Sequence, residues 1–148
     1  MKTFTKTCML LILLVVTVCS KAQKINSRPK LFTKVDNKIS YPKADLEKIF
    51  SKTKGSSVQI SLPGNFNFSG TVVSSVQRYN NLKSFLIKSD VLNGTIFAIS
   101  KRINDDNTVT YVGRIVNEKY SDGYELKQDS TGNYFLNKIN MDEVLQDH

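Results

Sequence analysis

Residues 57–68 read Ser-Val-Gln-Ile-Ser-Leu-Pro-Gly-Asn-Phe-Asn-Phe, and this dozen decides the fold class. Val58, Ile60 and Leu62 alternate with Ser57, Gln59 and Ser61, the period of a strand with one buried face. Pro63-Gly64-Asn65 turns the chain, and Phe66 and Phe68 restart the alternation. Downstream the same grammar repeats. Phe66 to Val76 makes a long strand with Gly70 inside it, and Asn80-Asn81 turns into a strand over Leu82–Lys88. Asn93-Gly94 is a strong hairpin signal leading into Thr95–Ile103. Asn104-Asp105-Asp106-Asn107 leads into a strand through Val109, Tyr111 and Ile115. Gly123–Lys127 and Tyr134–Ile139, separated by Asp129-Ser130-Thr131-Gly132, complete seven. The fold class is mainly β: an antiparallel meander forming a curled sheet, sandwich or small barrel over residues 55–140.

The order of features recurs. Phe68-Ser69-Gly70-Thr71-Val72 and Tyr111-Val112-Gly113-Arg114-Ile115 share the pattern aromatic-x-Gly-x-branched, each followed by another apolar strand. This suggests a duplicated three-strand unit. Glycine inside a strand marks a bulge or bend, which a curling sheet requires; the alternative is close backbone approach to a ligand.

Upstream, Lys2 and Lys6 precede an apolar run from Cys8 to Val18. A spanning helix needs roughly 20 apolar residues, so residues 1–22 read as a signal peptide cleaved after Ser20-Lys21-Ala22. Lipidation at Cys19 is the rival reading, and an uncleaved anchor the third. Both cysteines, Cys8 and Cys19, fall in this leader, so the expected mature chain is cysteine-free and stands on packing alone. The formal net charge of +8 is unevenly placed. Residues 23–54 hold nine basic and three acidic side chains, whereas residues 55–148 hold nine and ten. Residues 23–54 therefore read as a basic arm, either solvated or aimed at an anionic surface. Export argues against nucleic acid as its partner. Lys30–Val35 reads as a short strand or extended segment. Ser40-Tyr41-Pro42 opens a short amphipathic helix, with Leu46, Ile49 and Phe50 on one face, Asp45 and Glu47 early, and Gly55 as its stop. Such a helix caps an open edge or end of the sheet. Residues 141–148 form a tail with one helical turn.

Chemistry is bounded by what is missing. The only histidine is His148, the final residue, so no Ser-His-Asp triad, Cys-His dyad or histidine-based zinc site can be built around an ordered imidazole. No metal or other cofactor is expected. Asp105-Asp106-Asn107 gathers oxygen ligands but lacks the alternating donors and distal Glu of a calcium-binding EF-hand, and a plain turn explains it. Carboxylate-pair hydrolysis stays open, with Glu118 and Glu125 flanking a loop. Tyr79, Tyr120 and Tyr124, at loop or strand-end positions, are the candidate ligand-binding residues for a glycan or peptide; half-core tyrosines are the plainer reading. Asp129-Ser130-Thr131 matches a short O-glycosylation acceptor pattern of exported proteins in some Gram-negative bacteria.

Lys30-Leu31-Phe32, the Ser40-Tyr41-Pro42 helix, Phe68-Ser69-Gly70-Thr71-Val72 and Val112-Gly113-Arg114-Ile115-Val116 together resemble small exported bacterial β-rich proteins of unknown function. They are also similar to the β-rich N-terminal accessory regions of some secreted metallopeptidases. The resemblance covers most of residues 30–140. It implies an accessory, chaperone-like or inhibitory module, without the zinc helix of the catalytic part and with no site residues to carry over. The expected function is a non-catalytic exported binding domain of a bacterial cell envelope or secretome, periplasmic or extracellular. Its partner would be an envelope or secreted protein, or a glycan. The alternatives are a small acid-residue hydrolase and a peptidase-inhibitor or pro-region-like module.

Overall fold

The structure, a computed structural model, describes residues 28–144. The leader with its Cys19 alternative, the first five residues of the arm and residues 145–148 lie outside the described residues. Eight strands form one antiparallel sheet: β1 (Lys38–Tyr41), β2 (Ser57–Leu62), β3 (Phe66–Tyr79), β4 (Leu82–Ser89), β5 (Thr95–Ile103), β6 (Val109–Asn117), β7 (Asp122–Gln128) and β8 (Tyr134–Asn140). Helix α1 (Lys43–Phe50) links β1 to β2, and the short α2 (Met141–Val144) follows β8. The order across the sheet is β1-β8-β7-β6-β5-β4-β3-β2. The seven strands from β2 to β8 are thus a plain meander, as their alternation and turns require, and β1 is added beyond β8. Among the architectures open to such a meander, this one is a single sheet curled into a half-barrel.

Two local readings differ from the sequence expectation. Lys30–Val35 is a turn, with the Val35 amide donating to the Phe32 carbonyl; the strand comes slightly later, at β1. Asn93-Gly94 ends a five-residue connection rather than forming a two-residue hairpin. The Ser89 hydroxyl accepts the Leu92 amide at 3.0 Å, and Gly94 takes a positive φ of 80°, which only glycine adopts without cost.

The curl encloses a filled interior. Phe68, Ile87, Phe97, Ile115, Tyr124 and Leu136 are wholly buried on the concave face, each worth roughly 1.5–3 kcal/mol relative to exposure. Phe68 and Phe97 meet edge to face at 6.2 Å between ring centroids. The two recurrent motifs place Phe68, Gly70 and Val72, and Tyr111, Gly113 and Ile115, on this same inner face. A methyl group at Gly70 would lie 2.5 Å from the Lys88 carbonyl oxygen, and one at Gly113 2.8 Å from that of Ala98. Both glycines therefore let the neighbouring strand's backbone close in, and the register runs regularly through each of them rather than bulging there. A register shift between Val72 and Ser74 bends β3 further.

Helix α1 lies over one end of the curl. Pro42 enters it in extended conformation, and Leu46, Ile49 and Phe50 are its buried face. The Phe50 ring stands 5.0 Å from Phe85 and 5.5 Å from Tyr111. Lys83 donates to the Phe50 carbonyl at 3.3 Å, placing a cation at the negative end of the helix.

The opposite end is closed by the chain before β1. Phe32 is buried against Tyr124 at 5.1 Å and Phe66 at 6.1 Å. Its backbone is held from both sides. The buried Asp122 carboxylate accepts the amides of Leu31 at 2.6 Å and Phe32 at 2.9 Å. The Lys138 ammonium donates to the carbonyls of Phe32 and Val35. From Arg28 onward, then, the basic segment is packed structure: Arg28 pairs with Asp142 at 2.6 Å, and Lys38 sits 4.0 Å above the Phe135 ring.

Burial, with the nearby Asp122 and Asp36 charges, pushes the Tyr124 hydroxyl up to about 12 from its ordinary 10.0. A group that ionises later when folded stabilises the fold fully below pH 10, and that contribution is lost as pH rises through about 12. A tyrosinate absorbance titration followed alongside circular dichroism is expected to show late-ionising groups coincident with alkaline unfolding, with the one belonging to Tyr124 missing in Tyr124→Phe. Ionisation of that group near pH 10 with the fold intact is the contrary result.

Candidate functional site

The three tyrosines singled out from sequence do not meet. Tyr79 is 69% exposed at the β3–β4 turn. Tyr120 is half-buried in the β6–β7 connection at the other end of the sheet. Tyr124 points into the core, and its hydroxyl donates to the Asp36 carbonyl at 2.7 Å. No shared platform joins them, and Tyr124 is the satisfied core tyrosine that the alternation of β7 makes it.

The acidic candidates are similarly committed. Glu125 lies on the convex face, paired with Arg114 at 2.9 Å and Lys127 at 3.1 Å. Partial desolvation works against its ionised form, but the hydrogen bonds and charges of Arg114 and Lys127 outweigh it and hold the carboxyl below its usual range. Asp106 is lowered by accepting the hydroxyl and amide of Thr108. Asp129 is lowered in the same way by Thr131 and Asn133. These three shifts all favour the carboxylate, whereas an acid-pair hydrolase needs one carboxyl kept protonated. In the Asp105-Asp106-Asn107 loop, Asp106 spends its oxygen on the turn itself and Asn107 carries a φ of 63°. Among the described residues no cluster of three potential metal ligands occurs.

Among the described residues, the feature that nothing closes is the seam between the two ends of the sheet. β1 and β2 are the terminal strands; they approach one another, yet neither pairs with the other. The direction of their free groups follows from the ladder. Ser56 accepts the Val72 amide, and hydrogen-bonded pairs recur at every second residue of an antiparallel pair. Val58, Ile60 and Leu62 therefore bond to β3, while Ser57, Gln59 and Ser61 turn their amides and carbonyls outward. An independent bond agrees: Ser69, the partner of Gln59, gives its carbonyl to Asp90 on the far side. Across the gap Lys38 and Ser40 face outward likewise, because Lys138 bonds to Asn37.

Between β2 and α1 the seam opens into a groove of about 810 Å³. Asp45, Lys48 and Lys52 stand on its helix side, and Ser57, Gln59 and Ser61 form its strand side. Tyr41 lines it as well. This residue is 1% exposed, and its hydroxyl has no hydrogen-bond partner among the described residues. Burial first, and the Asp45 charge second, raise that hydroxyl far above the ordinary tyrosine value, so it remains a protonated donor. An unpaired buried donor costs about 1–3 kcal/mol. Among the described residues, an outward row of backbone groups without strand partners therefore lies beside a buried donor without an acceptor. Sequence reading missed it because an edge exists only once strand order is known; Gln59 alone reads as the polar half of an alternation.

No protein-family model, curated protein or solved structure matches this chain. Among the described residues no helix is long and apolar enough to cross a membrane.

Proposed function

We propose that this protein is a non-catalytic exported binding domain of a bacterial cell envelope or secretome, and that it holds a protein segment along the free edge of β2. The observation that carries this reading is the outward row at Ser57, Gln59 and Ser61 beside the open groove. Sheet edges recruit strands through main-chain hydrogen bonds. The peptidase-inhibitor or pro-region-like reading is a special case of the same geometry, because an inhibitor of that kind also works through a paired edge. The carboxylate arrangement gives the hydrolase alternative no support.

Deleting everything before Gly55 is a poor test, since it removes β1, α1 and Phe32 and bares the core. A single edge substitution is cleaner. Gln59→Pro deletes one outward amide, and proline is tolerated where the amide faces away from the sheet. A protein retained from an envelope extract by the wild type and lost to Gln59→Pro, with the variant folded by circular dichroism, is the expected result. Equal retention by both forms sinks the edge reading.

A further inference from the structure

Resting on that edge reading, we infer that the segment received by the seam is an acidic extended peptide, and that Tyr41 selects its position by donating to a peptide carbonyl. Three observations converge on this chemistry. The edge offers the amides and carbonyls of Ser57, Gln59 and Ser61, a span of about 17 Å in strand geometry. That length pairs with some five residues of an added strand. A strand seated there turns its other row of backbone groups across the seam, toward β1, whose last residue is Tyr41.

The Tyr41 hydroxyl has a donor proton and no acceptor among the described residues. A peptide carbonyl or side-chain oxygen seated at that hydroxyl supplies the acceptor. This is a preformed demand for an acceptor, and it disfavours a purely apolar guest.

The helix wall sets the sign of the charge. Lys48 and Lys52 line the groove, and only Asp45 opposes them, already paired to Lys48 at 2.7 Å. In sequence, Lys43 and Lys54 flank this stretch, and Glu47 is its one further acid. The strand wall is uncharged. An acidic peptide therefore meets a net positive wall, and a basic one meets repulsion along its length.

The test uses two capped, fluorescein-labelled heptapeptides of alternating residues, one threonine and glutamate, the other threonine and lysine. Fluorescence anisotropy is expected to show the acidic peptide bound at least about tenfold tighter than the basic one. Lys48→Glu combined with Lys52→Glu is expected to erase or invert that preference, and Gln59→Pro to abolish binding. Tyr41→Phe supplies the reading that a merely structural residue cannot give. It is expected to raise the melting temperature, because an unpaired donor leaves the interior, while weakening the acidic peptide about three- to tenfold.

Equal affinity for the two peptides, with binding still lost in Gln59→Pro, overturns the charge inference and leaves the edge reading standing. Acidic-peptide binding that survives Gln59→Pro overturns both. A Tyr41→Phe variant that binds like the wild type removes Tyr41 from the site, and an acidic peptide that fails to bind the wild type overturns the inference outright.

Discussion

Asp122→Ala is expected to cost about 3–5 kcal/mol, from the loss of two hydrogen bonds to a charged group at about 1.5–3 kcal/mol each. Asp122 is 3% exposed and holds the amides of Leu31 and Phe32. Removing it strands the buried Phe32 amide and the part-buried Leu31 amide at once. Phe32, which plugs this end of the curl, loses the clamp that positions its ring. Urea unfolding monitored by tyrosine fluorescence reads the loss directly. Limited proteolysis is expected to cut near Lys30 or Lys34 in the variant well before the sheet itself unfolds. Asp122→Asn keeps one acceptor and is expected to cost less than the alanine. A change below about 1 kcal/mol for Asp122→Ala shows that the segment is held by Phe32 and Lys138 without the carboxylate.

Phe97→Ala is expected to cost about 3–5 kcal/mol, the usual toll for emptying an aromatic site in a packed core. Phe97 is wholly buried at the centre of the meander, edge-on to Phe68 and against the surface that Gly113 leaves open. The strands around it are fixed by ladders on both sides, so the cavity has little freedom to collapse. Net stability for a domain of this size is about 5–15 kcal/mol, and this single change brings a domain near the low end close to unfolding. Phe135→Ala is the control. Phe135 is only partly buried, on the outer face beneath Lys38, and it is expected to lose less than half as much under the same urea titration.

The parts of the fold that were legible in the sequence are those settled by near neighbours. Each strand from β2 to β8 is joined to the next by a few residues, and the turns are written in Gly, Asn and Asp with their special backbone angles. Gly64, Asn65 and Asn107 all take positive φ. Alternation then assigned the faces, and Val58, Ile60 and Leu62 are buried as their spacing demands. The illegible parts depend on distant partners. β1 is four residues long and pairs with β8 at the far end of the chain, so no local periodicity marks it. Asp122 reads as an ordinary turn acid until Leu31 and Phe32 arrive from ninety residues away. Tyr124 and Tyr79 look equivalent in sequence, yet one closes the core and the other stands on a hairpin tip. The seam is the extreme case, for it consists of pairing that does not occur among the described residues.

The place of β1 also fixes an order of events. The hairpins from β2 to β8 each close a short loop, but β1 pairs with Tyr134–Asn137, and the Asp122 clamp likewise joins the two ends of the chain. Loop-closure entropy delays contacts of such wide sequence separation until shorter ones have formed. During synthesis the first strand to emerge is therefore the last to dock. Until β8 has appeared, Lys38–Tyr41 and α1 remain an unattached leading segment, and the concave apolar face of the growing meander stays uncovered. The nascent chain is committed to finishing its fold only after its final strand is made.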